Sequence, residues 1–173
     1  MNPKKDFTSW HVAVAAEAIT AGQFARLGYD VSVHYGADQP EYDLIISKDG
    51  RLLKISVKGS QDGSWGLTQN FLKDADYHSA VDKWLAKHGR KTIFCFVQFK
   101  DKSLEQLPNL YLATPDEVAK RLKETANGRG DTILYENYTY KTKRAAGFGT
   151  TDKIPDNWKF SKERLEQLIN ELG

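Results

Sequence analysis

The stretch YDLIISKDGRLLKISVKGS, residues 42–60, constrains the fold more than any other part of the chain. Two apolar runs flank Lys48-Asp49-Gly50, and a short Asp-Gly connection between such runs closes a β-hairpin, because both residues tolerate the positive φ angles that match strand twist. Residues 42–47 are therefore expected to pair antiparallel with 51–58. Alternate side chains of a strand share a face, so Lys54, Ser56 and Lys58 point one way and Ile55 and Val57 the other. Lysines on an inner face need a partner, and Asp43 on the neighbouring strand is a plausible one.

Around this hairpin the pattern alternates helices and strands. WHVAVAAEAITAGQFARLGY follows Thr8 or Ser9 as N-cap and runs to Gly28, which suits the position just past a helix end. Its apolar residues occur nearly all round, which predicts a helix packed on more than one side and makes Glu17 conspicuous. YDVSVHY, 29–35, alternates as a strand, and GADQPEY supplies a turn over 36–42. A Gly, Ser and Asp rich passage over 59–76 leads to YHSAVDKWLAKHG, a second helix with Val81, Trp84 and Leu85 on one face, ending at Gly89. His88, Arg90 and Lys91 there complement its dipole.

The uninterrupted apolar strand 92–99 suggests a crossover into a buried, parallel position. NLYLA, 109–113, is a further strand. In TPDEVAKRLKE, Thr114 caps a third helix, Pro115 takes its first position and Glu117 completes a capping box. DTILYENYTY, 131–140, reads as one strand, 141–160 as a long irregular segment, and a terminal helix begins near Ser161.

Composition excludes more than it selects. With 173 residues, 25 basic against 23 acidic and a net charge of +2, only a local patch could attract nucleic acid or an anionic membrane. Cys95 in TIFCFVQF reads as a small buried hydrophobe. No run has the length of a membrane helix and MNPKKDFTSW lacks the apolar region of a secretory signal, so a cytoplasmic protein without a membrane partner is expected, and the Asn137 sequon is expected to go unused. The four histidines lack zinc-site spacing, and neither a phosphate-binding loop nor a dinucleotide fingerprint occurs.

The order of Glu17 in a first helix, Asp43 at the start of one strand and Val57-Lys58 at the end of the next resembles the PD-(D/E)xK nuclease superfamily. The resemblance covers roughly residues 10–100 and is nearest to the group of archaeal Holliday junction resolvases, Mrr-like restriction enzymes and some homing endonucleases. It implies an α/β, restriction-endonuclease-like fold in which a central mixed β-sheet is flanked by helices. One domain over 1–173 is expected, with a common core over about 8–100 and C-terminal β/α additions over about 101–173. The implied activity is Mg²⁺- or Mn²⁺-dependent endonucleolytic hydrolysis of DNA, RNA not being excluded. Asp43 and Glu17 would be metal ligands together with the Val57 carbonyl, and Lys58 would position water and stabilise charge on the phosphate.

Ser56 departs from the pattern, since it stands where the second Asp or Glu of the motif belongs. Either Glu17 is recruited in its place, with Ser56 in a supporting catalytic role as a weak ligand or the holder of a metal-bound water, or catalysis has been lost and nucleic-acid binding kept. A third reading makes Asp43 and Lys58 an ordinary cross-strand pair of a structural or partner-binding protein, worth less than about 1 kcal/mol. Further candidate nucleic-acid contacts are Lys54, Ser60, Gln61 and Gln69, with Gly59 allowing close approach to a phosphate. Lys141, Lys143 and Arg144 lie among aromatics and could bind a strand, although alternating tyrosines also serve as packing. For a cut in both strands a homodimer is the economical arrangement.

Overall fold

The computed structural model describes residues 6–34 and 41–172; Tyr35 of the expected first strand and residues 36–40 of the expected turn lie outside them. The hairpin forms where the Asp-Gly pair places it. β2 (Leu44–Lys48) and β3 (Arg51–Ser60) pair antiparallel from Lys48↔Arg51 to Leu44↔Ile55. Asp49 and Gly50 have φ of 51° and 76°, the two positive values of the favoured two-residue turn.

β1 (Asp30–Val33) adds antiparallel to β2, while β5 (Thr92–Gln98) lies parallel to β3 and β6 (Asn109–Ala113) antiparallel to β5. The resulting five-stranded mixed sheet has the order β1-β2-β3-β5-β6. Every residue of β5 is buried, as its unbroken apolar run requires of a central strand covered on both faces. Four α-helices accompany the sheet among the described residues, which makes the protein α/β with a central mixed sheet.

Each sheet face has its own core. Ile55, Val57, Cys95 and Leu112 pack with Ala16 and Phe24 of α1 (Ser9–Arg26) and with Leu165 and Leu168 of α4 (Lys162–Leu172). Phe94, Phe96 and Tyr111 on the opposite face pack with Val81 and Trp84 of α2 (Tyr77–Leu85) and with Val118 and Leu122 of α3 (Pro115–Glu124). Cys95 is fully buried against the Thr20 hydroxyl at 3.4 Å, and burial pushes its thiol up to about 12.

Of the two expected caps, Thr8 and Ser9, the first helix begins at Thr8, and it does not pack all round. Val12, Ala16, Thr20 and Phe24 form one buried stripe, whereas Trp10 and Val14 are 68% and 47% exposed. Alanine carries the discrepancy: it favours helix wherever it stands and has too little apolar surface to require burial. α2 stops at Leu85, short of the expected Gly89, and α3 has the expected Thr114–Glu117 capping box with Pro115 at its start.

Residues 131–140 are not one strand. β7 (Ile133–Tyr135) pairs with β4 (Ser64–Gly66), and β8 (Asn137–Thr139) pairs with β9 (Thr151–Lys153). The break falls at Glu136, whose carboxylate takes hydrogen bonds from Asn109 Nδ2 at 2.7 Å and Tyr111 Oη at 2.6 Å on the sheet edge. The irregular segment thus contains β9 and a 3₁₀ turn, Asp156–Trp158, before α4.

Candidate active site

Asp43 sits immediately before β2, at the point where β2 and β3 part. Its backbone N–H still donates to the Ile55 carbonyl at 2.9 Å, and its Oδ2 accepts from the Val57 N–H at 2.6 Å. The carboxylate thus replaces the strand that would otherwise have satisfied Val57. Since the N–H and C=O of one strand residue point to the same side, the Val57 carbonyl faces the same gap. Lys58 follows on the other sheet face, half-buried, its carbonyl held by the Trp65 indole N–H at 2.9 Å.

α1 brings the second carboxylate. The helix lies directly on β3 at Gly59, where a Cβ would come within 2.8 Å of Val12 Cγ1 and 3.0 Å of the Ala16 Cβ. Gly59 therefore serves close approach of a helix, not of a phosphate. One residue beyond Ala16, Glu17 enters the field of both Asp43 and Lys58. Burial raises its pKa, the Asp43 charge raises it further, and Lys58 offsets part of the rise.

A raised carboxylate pKa has a definite sign for stability. Below the ordinary value of 4.5 Glu17 is protonated folded or unfolded; as pH climbs through the raised value, the unfolded chain releases its proton more readily and stability falls. The Glu17→Gln protein is expected to be more stable than wild type near neutral pH in EDTA, the gap closing below about pH 4. Urea denaturation at several pH values measures this, and a stability gap that does not change with pH would contradict the raised pKa of Glu17.

Ser56, at the departing motif position, is 1% exposed and its Oγ has no hydrogen-bond partner. Among the described residues, no three His, Cys, Asp or Glu side chains are grouped as a metal site. The Asp43 and Glu17 carboxylates and the Val57 carbonyl are hard oxygen donors of the kind Mg²⁺ takes, since that ion is commonly held by one or two carboxylates with waters and phosphate oxygens completing the shell. On donor chemistry the residues fit a divalent ion, and the two carboxylates are the charges it would relieve.

His88, which no motif in the sequence singles out, lies within the electrostatic reach of Lys58. Its ring lies 4.4 Å from that of Trp84 and 5.0 Å from that of Phe94, the register partner of Ser56. Its Nδ1 is buried without a partner. Burial lowers the His88 pKa, with Lys58 lowering it and Glu41 opposing, so the imidazole is neutral at neutral pH and carries no charge to complement the α2 dipole. The adjacent Gly89 N–H donates to the Glu41 carboxylate at 3.3 Å, tying this turn to the segment before Asp43. Nothing in residue spacing signals this, because His88 reaches the site through the packing of α2.

The remaining sequence candidates separate by exposure. Ser60 is buried, and its hydroxyl donates to Asp62 Oδ1 at 3.0 Å while accepting from Gln98 Nε2 at 3.1 Å, so it braces the turn after β3. Lys54 is exposed with its Nζ 4.8 Å from the Tyr42 ring, Gln61 is exposed in the turn after β3, and Gln69 is exposed at the start of a 3₁₀ turn, Gln69–Phe71. Lys141, Lys143 and Arg144 are exposed beyond β8, in the C-terminal part of the chain.

No protein-family model matches the chain, and no curated protein is close enough in sequence to match it. Among solved structures, the fold is similar to that of a bacterial homing endonuclease, I-Ssp6803I, with a TM-score of 0.52 over 95% of each chain and 14% sequence identity. At that identity the likeness is one of fold.

Proposed function

We propose that the protein is a metal-dependent nuclease of the PD-(D/E)xK superfamily that hydrolyses DNA phosphodiester bonds. The observation that carries this reading is that α1 delivers Glu17 into the field of Asp43 and Lys58, three residues the resemblance had picked out from separate elements. The fold likeness to a homing endonuclease supports it. Glu17, Asp43, the Val57 carbonyl and the Ser56 hydroxyl would hold Mg²⁺ or Mn²⁺, whose chemistry there is Lewis-acid charge beside the phosphate and acidified water.

The chain's own residues do the rest. The hydrogen bond from Val57 to Asp43 fixes the backbone from which Lys58 projects, and the Lys58 ammonium donates to a phosphate oxygen and stabilises the charge that grows on it. Lys54, Gln61 and Gln69 line the approach as contacts to the sugar-phosphate backbone, which positions a strand without reading its sequence.

The test is cleavage of plasmid, branched DNA, single-stranded DNA and RNA with and without Mg²⁺ or Mn²⁺, comparing wild type with Asp43→Ala and Ser56→Ala. Metal-dependent cutting is expected, abolished by Asp43→Ala and retained by Ser56→Ala at a higher metal requirement. DNA retained in a salt-sensitive shift assay without any cutting would instead identify a binding module on this fold, and neither cutting nor binding a protein with some other partner.

A further inference from the structure

The hairpin β8–β9 and its closing loop present a surface that catalysis at Asp43 does not explain. Lys141, Lys143 and Arg144 are exposed, and among the described residues none of them forms an ion pair. The nearby acids are already engaged. Asp152 takes the Arg121 guanidinium at 2.6 Å and the Ala126 N–H at 2.9 Å, and Asp131 pairs with Arg129 at 3.2 Å. The basic loop therefore keeps its positive charge.

Two large aromatic side chains are exposed on the same hairpin, Tyr138 at 42% and Phe148 at 51%. Tyr138 stacks one face on Tyr135, with ring centres 4.5 Å apart and planes within 19°, and meets Tyr140 edge-on at 4.8 Å. The pair is a short stack with an open end. Its base is firm: Tyr140 is buried beneath Gly147, where a Cβ would come within 2.7 Å of the ring, and the loop is closed by Tyr140 N–H to Thr150 O at 3.0 Å and Gly149 N–H to Tyr140 O at 2.9 Å. The Tyr138 ring is thus held ready before any ligand arrives, which lowers the entropy cost of binding, and Phe148 stands exposed in the closing loop of the same hairpin.

We propose that this hairpin binds single-stranded nucleic acid, unpaired bases stacking on Tyr138 and Phe148 while Lys141, Lys143 and Arg144 hold the phosphates. An aromatic ring gains stacking from a base only where the base's face is free, and a duplex hides those faces. The inference deepens the nuclease reading by naming the form of nucleic acid, and rests on that reading for its link to cleavage. The binding itself does not depend on it.

The experiment uses the full chain carrying Asp43→Ala, in EDTA, with a labelled single-stranded oligonucleotide and the matching duplex followed by fluorescence anisotropy. Single-strand binding is expected to exceed duplex binding. Tyr138→Ala and Phe148→Ala should each weaken the single-strand complex about tenfold, with Tyr138→Phe close to the parent. Replacing Lys141, Lys143 and Arg144 together by Ala should reduce the slope of log affinity against log salt by about 2. Single-strand affinity indifferent to both rings, or a salt slope indifferent to the three cations, overturns the proposal. If the hairpin variants behave as expected while the wild-type protein cuts nothing, the nuclease reading fails and the binding surface stands; cutting by a protein whose hairpin variants bind like the parent is the reverse.

Discussion

Lys58→Met is expected to reduce DNA cleavage by about 10³-fold, the loss seen when a preorganised charge donor is removed from a site of developing negative charge. Methionine keeps most of the stem that half-buries against the sheet and removes only the ammonium. Lys58 closes no direct ion pair among the described residues, and its charge acts on both Glu17 and His88, lowering the pKa of each. An ammonium without a direct carboxylate partner is free to take the anionic substrate that the proposed function assigns to it. Single-turnover cleavage with saturating enzyme measures the effect, beside a thermal melt that should shift little. Cutting at the wild-type rate by the methionine variant would remove Lys58 from the mechanism.

Arg164→Ala is expected to give the largest loss of stability, about 3 kcal/mol, and a fall in melting temperature of about 3 °C for each kcal/mol. The guanidinium is 3% exposed and joins α4 to the start of α3 through Glu117, with Nη2 to Oε2 at 2.6 Å, while Nε and Nη2 both donate to the Leu112 carbonyl at 3.2 Å. The same Glu117 carboxylate accepts from the Thr114 N–H at 2.8 Å in the capping box. Removing Arg164 leaves a partly buried carboxylate and the Leu112 carbonyl without their donor, which costs more than the ion pair itself contributes. A variant melting with the wild type would show that solvent replaces these bonds freely.

The Lys58 and Arg164 expectations differ in how much of each was legible beforehand. Lys58 could be singled out because its strand, its face and its distance in sequence from Asp43 follow from the Asp-Gly turn and the two-residue period of a strand. Glu117 could be recognised as a capping residue, but its second partner, 47 residues away, could not. The position of His88 near a helix end suggests a charge that complements the dipole, and only its packing against Trp84 and Phe94 shows a buried, neutral ring. Ser60 has the position in sequence of a phosphate contact, whereas its hydroxyl is engaged by Asp62 and Gln98.

The amino-acid sequence by itself determined the antiparallel β2–β3 hairpin, the start of α1 to within Thr8 or Ser9, the start of α3 at Thr114, and the buried character of β5. Each follows from dihedral preferences, caps and side-chain periodicity within a few residues. Only the tertiary structure decided that α1 buries a single stripe, that residues 131–140 divide at Glu136 between two sheets, and that Glu17 comes within the electrostatic reach of Asp43 and Lys58. Those outcomes depend on how closely one layer can approach another, as α1 approaches β3 over Gly59, and that distance is set by side-chain volumes on elements far apart in the chain.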